Sequence, residues 1–147
     1  MSLIDELRAK SESAESVRRE VVEEIKAYFD KYLRSDELEN YLRNKIGKSE
    51  IQERKVFMRV EFWEYHDGCS TTYFHCGGCE WYNPKNKDGY ESHKYKGVEL
   101  RTINHEVCGY LSEKLENKMN ELGFHIVSKG DKNNRFGYYD TYYYFGW

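Results

Sequence analysis

Several features that define other protein classes are scarce in or missing from this sequence of 147 residues. Its single proline, Pro84, excludes proline-rich linkers between domains. No run of apolar residues exceeds four, far below the roughly 18 that a membrane-spanning helix needs. The opening MSLIDELRAK carries acidic residues and no apolar stretch follows it. We therefore expect no secretory signal, no membrane contact and a cytoplasmic location.

An excess of one charge sign is also missing, because 23 basic residues stand against 26 acidic ones, a formal charge of −3. Without a basic excess, duplex nucleic acid is not the expected partner. The common phosphate-binding loops are excluded, because neither GxGxxG nor GxxxxGK[ST] occurs. No nucleophile, base and orienting group stand at a recognisable spacing either. The sequence therefore favours a protein that binds over one that catalyses.

Tyrosine is the residue in excess, with 14 copies, and aromatic residues make up 16% of the chain. Charged residues reach 33%, a share that can indicate disorder, but so many rings are not typical of a solvated chain. The length suits one domain. We predict a single domain over residues 14–147, preceded by a flexible or frayed helical lead-in over residues 1–13.

Helical periodicity predicts three helices. Apolar residues recur at spacings of three and four over residues 14–33, between Ser35 and Gly47, and between Thr102 and Gly123. The apolar stripe of residues 14–33 must be buried, either against the rest of the domain or against a copy of itself. A homodimer through residues 14–33 is therefore one hypothesis.

Alternation with a period of two predicts strands. In residues 55–66 the even positions from Val56 to Phe62 are apolar, and aromatic or charged residues stand between them. Residues 70–75 return as the second strand of a hairpin, and further strands are predicted at residues 94–100, 124–128 and 136–147. The order α-α-β-β-(β)-α-β-β predicts an α+β fold in which an antiparallel sheet of about four to five strands carries its helices on one face.

The last predicted strand is the richest in aromatic residues. Its alternate residues project to opposite sides, and only one side can pack on the helices. Rings on the other side should meet a partner, with a protein as the first expectation and a nucleotide held between rings as the second. The alternative is that the tyrosines only form cross-strand pairs. The predicted anchors of this aromatic face are Trp63, Tyr65, Tyr139, Tyr143 and Trp147.

Two short pairs, His66-x-x-Cys69 and Cys76-x-x-Cys79, offer the ligands of a metal site. Zinc prefers four such ligands in a tetrahedron, so a small zinc-stabilised binding module is the alternative function. The pairs meet only if residues 70–75 form a loop, because an extended segment at ~3.3 Å per residue would hold them on the order of 20 Å apart. The other interpretation is a reduced CGGC turn that binds no metal, in which case no cofactor is expected.

Three segments carry a resemblance to a class of proteins: the opening MSLIDELRAK, the helix ending in LGF, and the terminal YYDTYYYFGW. In layout they resemble small accessory proteins of phages and mobile elements of low-GC Gram-positive bacteria. Counter-defence is a recurrent role in that class, which includes anti-CRISPR proteins and proteins that sequester immune signalling nucleotides. The resemblance implies a non-enzymatic inhibitor that occupies a host protein surface or captures a nucleotide signal, and it carries over no catalytic residue.

Overall fold

The computed structural model of this chain describes residues 2–64, 72–82, 94–131 and 139–147. Within these ranges the chain forms four α-helices, seven β-strands and one 3₁₀ turn. In chain order they are α1 (Leu3–Arg34), α2 (Glu37–Lys45), α3 (Lys48–Glu53), β1 (Lys55–Glu64), β2 (Thr72–Cys76), β3 (Cys79–Tyr82), β4 (Lys94–Tyr95), β5 (Val98–Glu99), the 3₁₀ turn (Leu100–Thr102), α4 (Asn104–Glu121), β6 (His125–Asp131) and β7 (Asp140–Gly146).

Five strands form one antiparallel sheet in the order β3-β2-β1-β7-β6, and β4 and β5 pair as a separate hairpin. The central strand β1 pairs with β2 on one side and with β7 on the other. Helices α1 and α4 pack together against one side of this sheet. The predicted α+β fold, with an antiparallel sheet and helices on one face, is confirmed.

The core lies between the sheet and these two helices. As predicted, the even positions of β1 face it: Val56, Met58, Val60 and Phe62 are all buried. From α4 the core receives one apolar stripe, which consists of Val107, Leu111, Leu115 and Met119. Buried apolar side chains of this size stabilise a fold by about 1.5–3 kcal/mol each, so these rows hold the layers together.

Helix α1 begins earlier than its apolar pattern predicts. Ser2 caps it by accepting a hydrogen bond from the backbone N–H of Asp5 at 3.2 Å. Residues 3–13, predicted as a flexible or frayed lead-in, continue the same helix, although residues 2–16 are all exposed. Burial of apolar side chains begins only where the helix meets the core, near Val17.

The apolar stripe of α1 is buried inside the chain's own core. Val21, Val22 and Ile25 have no exposed surface, and Phe29 has almost none. The proposed homodimer through residues 14–33 loses its basis, because intramolecular packing already uses the side chains that a second copy would need.

Several other elements also differ from the prediction. Strand β3 and the short helix α3 were not predicted, and the strand predicted at residues 94–100 is the β4–β5 hairpin followed by the 3₁₀ turn. Strand β6 continues to Asp131, through residues predicted as a loop. Residues 136–138 of the predicted last strand lie outside the described residues, and β7 begins at Asp140.

Candidate functional site

The side of the five-stranded sheet that faces away from α1 and α4 carries the candidate site, and we call it the open sheet face. The strand register sets its side chains in rows across β3, β2, β1 and β7. Because side chains alternate along each strand, the odd-numbered residues of β1 point to this face. They are only half-buried or exposed, while the even-numbered ones are buried.

Three aromatic residues form the first row, which we call the Trp63 row: Trp63, Tyr73 and Tyr82. The rings of Trp63 and Tyr73 lie 6.2 Å apart with planes at 19°, and Tyr73 and Tyr82 lie 5.8 Å apart. Trp63 is 41% exposed and Tyr82 54%. The Tyr82 hydroxyl donates a hydrogen bond to the Glu80 carboxylate, which ties this row to its neighbour.

The next row is charged, and we call it the carboxylate row: Asp140, Glu61, His75 and Glu80. The Nδ1 atom of His75 is buried without a hydrogen-bond partner in the described part of the chain, and Oε1 of Glu61 lies 4.0 Å from it. Burial is the main cause that lowers the pKa of His75. The imidazole is therefore neutral near pH 7, and the carboxylates determine the charge of this row.

One arginine partly neutralises the carboxylate row. Arg59 donates from Nη2 to Oδ2 of Asp140 at 2.8 Å, while its Nε lies 3.8 Å from Glu61. Among the described residues, no lysine or arginine lies within 4.0 Å of the Glu80 carboxylate. Burial and then the charges of Glu61 and Glu80 raise the pKa of Tyr73 to about 12. The Trp63 row therefore lies in a negative electrostatic field.

A second aromatic group lies on the other half of the open sheet face, and we call it the Phe57 cluster: Phe57, Tyr142 and Tyr144. Phe57 lies 5.2 Å from Tyr144 and 6.4 Å from Tyr142, measured between ring centroids. The chain's own cations stand over these rings, with Lys45 and Arg59 each 5.9 Å from the centroid of Phe57, and Lys55 5.1 Å from that of Tyr144. This half of the face therefore carries positive charge beside its rings.

The predicted aromatic anchors do not all reach this face. Trp63 lies on it, and Tyr65 lies outside the described residues. The prediction for Tyr143 is wrong, because it has no exposed surface and lies in the core. Tyr139 and Trp147 are half-buried and pack against the core on the same side of β7. Three of the predicted anchors therefore lie on the helix side of the sheet.

Register explains the error in β7. Tyr143 pairs with Met58, a core-facing position of β1, whereas Tyr142 and Tyr144 pair with Arg59 and Phe57 on the open sheet face. Aromatic residues stand at both the odd-numbered and the even-numbered positions of β7, so alternation alone does not show which set faces the core. Asp140 could have identified the solvent side of the strand, because charged side chains are rarely buried.

The predicted zinc ligands are only partly described, because His66 and Cys69 lie outside the described residues. Cys76 and Cys79 are cross-strand partners on either side of the Gly77-Gly78 turn, and both are buried. Burial, as the largest cause, raises the pKa of Cys79 to about 12 and raises that of Cys76 further. Within the described residues no three His, Cys, Asp or Glu side chains stand together as a metal site, and the four-ligand zinc site stays a prediction.

Concave sites among the described residues lie beside the helices. One, of about 350 Å³, lies between α1 and α4 and is lined by charged side chains such as Asp30 and Lys114. The other, of about 440 Å³, is lined mainly by Leu42, Ile46 and Phe124. Neither is lined by rings of the open sheet face.

No helix in the described ranges has the length and apolar character needed to cross a bilayer. Comparisons with protein-family models, with curated proteins and with solved structures found no match.

Proposed function

We propose that this protein is a non-enzymatic binding protein that holds a protein partner on its open sheet face. The observation that carries the proposal is the pair of aromatic groups, the Trp63 row and the Phe57 cluster, on the side of the sheet opposite the helices. Trp and Tyr are enriched at the centres of protein interfaces, where they bury a large area with few rotatable bonds.

The strands hold these rings in place before any partner arrives. Trp63 and Tyr73 belong to paired strands, and so do Phe57 and Tyr144. Side chains that are already ordered lose little conformational entropy on binding, which favours affinity. The rings are therefore suited to act as rigid anchors.

The described cysteines support a binding role over catalysis by a thiolate. The thiols of Cys76, Cys79 and Cys108 are buried, and burial raises the pKa of each. A catalytic cysteine needs an accessible thiolate, which these positions disfavour. Free thiols also suit a reducing compartment, and we expect the protein to act in the cytoplasm.

The resemblance in layout to accessory proteins of phages and mobile elements adds an expectation about the partner. In this proposal the open sheet face occupies the surface of a host protein, such as a component of a defence system, and inhibits it. Occupying a surface needs the aromatic face and no catalytic residue.

Cross-linked capture from a bacterial lysate tests the binding role. We compare the wild type with a Trp63→Ala, Tyr144→Ala variant, and with a control that replaces the exposed apolar residues Leu7 and Ile51 by alanine. The expected result is a protein captured by the wild type and the control but lost with the face variant, while all melting temperatures agree within a few degrees. Capture profiles that are identical for all three proteins would contradict the proposal.

The Phe57 cluster favours a second candidate, the capture of a nucleotide. Its rings offer a surface on which a base can stack, and Lys55 is placed beside Tyr144 to meet a phosphate. Calorimetric titration with adenosine and guanosine monophosphates tests this function. Saturable binding that Lys55→Gln weakens would support it, and the absence of binding would reject it.

A further inference from the structure

The two halves of the open sheet face differ in charge. Over the Phe57 cluster the chain places its own cations, Lys45, Lys55 and Arg59. Over the Trp63 row, no lysine or arginine of the described residues stands above a ring. Within the described residues, the rings of Trp63 and Tyr82 thus have no cation beside them, although both side chains are exposed.

Carboxylates stand beside those open rings. Glu61 and Glu80 lie two residues from Trp63 and Tyr82 along their strands, which is about 6.6 Å at ~3.3 Å per residue. Asp140 holds Arg59 at 2.8 Å, which leaves Glu61 a longer contact of 3.8 Å with the same arginine. The Glu80 carboxylate receives one described side-chain hydrogen bond, from the hydroxyl of Tyr82. A cation that stacks on the row can therefore also reach a carboxylate.

We propose that the Trp63 row and its neighbouring carboxylates Glu61 and Glu80 bind an arginine side chain of the protein partner. This inference rests on the proposed function and names the chemistry that one half of the face recognises. A guanidinium is planar, so it stacks on an aromatic face while its N–H groups donate to a carboxylate at the side. Trp, the best ring for a cation, stands in the row.

The negative charge beside the Trp63 row also determines which chemical groups bind there poorly. Phosphate and carboxylate groups meet the negative field of Glu61 and Glu80, so nucleic acid and anionic lipid are disfavoured at this half of the face. A lysine satisfies the charge but does not stack as a plane or donate as a fork. The expected order of affinity is therefore arginine, then lysine, then neutral and acidic side chains.

Fluorescence or calorimetric titration with synthetic peptides tests the inference. The probe is a short peptide in which arginine alternates with glycine, and its matched versions carry lysine, citrulline or glutamate instead. Citrulline keeps the shape of arginine and removes its charge. We expect saturable binding of the arginine peptide at low salt, about tenfold tighter than that of the citrulline peptide, and weaker binding as salt rises.

Matched variants of the protein test whether the arginine peptide binds at the Trp63 row. We expect Glu80→Gln and Trp63→Leu each to lower the affinity for the arginine peptide by about fivefold or more. Ile51→Ala, exposed on α3, and Glu121→Gln, exposed on α4, should leave its affinity unchanged. Glu80→Gln removes charge from a partly exposed side chain with little change of shape, so it tests the proposal even if Trp63→Leu unfolds.

Two results would overturn the inference. One is a wild type that binds the citrulline peptide as tightly as the arginine peptide, or binds neither. The other is an arginine affinity that Glu80→Gln does not change. If capture of the partner still depends on Trp63 and Tyr144, the proposed function stands and only the arginine assignment fails.

Discussion

Tyr143 and Tyr144 are adjacent in β7 and lie on opposite sides of the sheet, with exposed fractions of 0% and 37%. The Tyr143 ring stacks on Phe145 at 5.0 Å in the core. The Tyr144 ring lies 5.2 Å from Phe57 on the open sheet face, under Lys55. One peptide unit therefore separates a residue that holds the fold together from one that is free to contact a partner.

This pair gives a direct test of which side of β7 is structural. We expect Tyr143→Ala to lower the free energy of unfolding by about 3–5 kcal/mol, because it leaves a cavity in the core. Tyr144→Ala should lower the free energy of unfolding by less than about 1 kcal/mol, because the ring is partly solvated. Urea unfolding followed by circular dichroism measures both. Equal losses for the two variants would show that the open sheet face is as well packed as the core.

Two turns allow the cost of backbone strain to be separated from that of steric overlap. Gly78 and Gly97 each hold the second position of a two-residue turn, with φ of 86° and 80°. A Cβ at Gly78 would overlap the ring of Tyr41, whereas one at Gly97 would meet nothing within 4 Å. The two positions thus share their backbone strain and differ in the space around them.

We expect Gly97→Ala to lower the free energy of unfolding by roughly 1–2 kcal/mol, because a residue with a side chain is strained in the left-handed conformation. Gly78→Ala should cost about 1–3 kcal/mol more, because it also displaces the Tyr41 ring. Adding Tyr41→Ala to Gly78→Ala should recover part of that difference in urea unfolding. No recovery would mean that the ring does not cause the extra loss.

The cysteines give a test of the zinc hypothesis. Because burial raises the pKa of Cys76, Cys79 and Cys108, we expect these thiols to react with Ellman's reagent only after unfolding. Protein purified without chelator should contain less than about 0.1 equivalent of zinc. One equivalent of zinc that Cys79→Ser releases would instead support the site formed by His66, Cys69, Cys76 and Cys79.

A salt bridge between α1 and α4 predicts a stability effect at acid pH. Arg19 donates to Glu106 at 2.6 Å, and this hydrogen bond is the largest cause that lowers the pKa of Glu106. Folding thus favours the ionised form of Glu106. The ionised carboxylate therefore contributes to the stability of the fold at pH values above its unfolded pKa of about 4.3. It is lost as the pH falls through the lower folded pKa.

We therefore expect the wild type to melt slightly above Glu106→Gln at pH 7, and the difference to shrink as the pH falls toward 3. The effect is small because the pair is exposed, and added salt should reduce it further. Thermal melts of the two proteins at both pH values measure it. A difference that is the same at pH 3 and pH 7 would show that the carboxylate charge is not its cause.

Much of the fold follows from local patterns in the chain. From Val56 to Phe62 the even positions of β1 are apolar, while aromatic or charged residues stand at the odd ones, so the core side of this strand was predicted correctly. The buried side of α4 follows in the same way from its apolar stripe. Strand β3 was missed because CGGC was interpreted as the end of a hairpin, although a Gly-Gly pair is itself a typical two-residue hairpin turn.

The amino-acid sequence alone determined the type of most secondary-structure elements, the core faces of β1 and α4, and the excess of tyrosine. Only the tertiary structure decided which rings are exposed. Pairing with β1 sets the buried side of β7, and a shift of one residue would exchange Tyr143 with Tyr144. Pairing between three strands likewise brings Trp63, Tyr73 and Tyr82 into one row beside Glu61 and Glu80. Such contacts depend on long-range register, which the local spacing of residues does not encode.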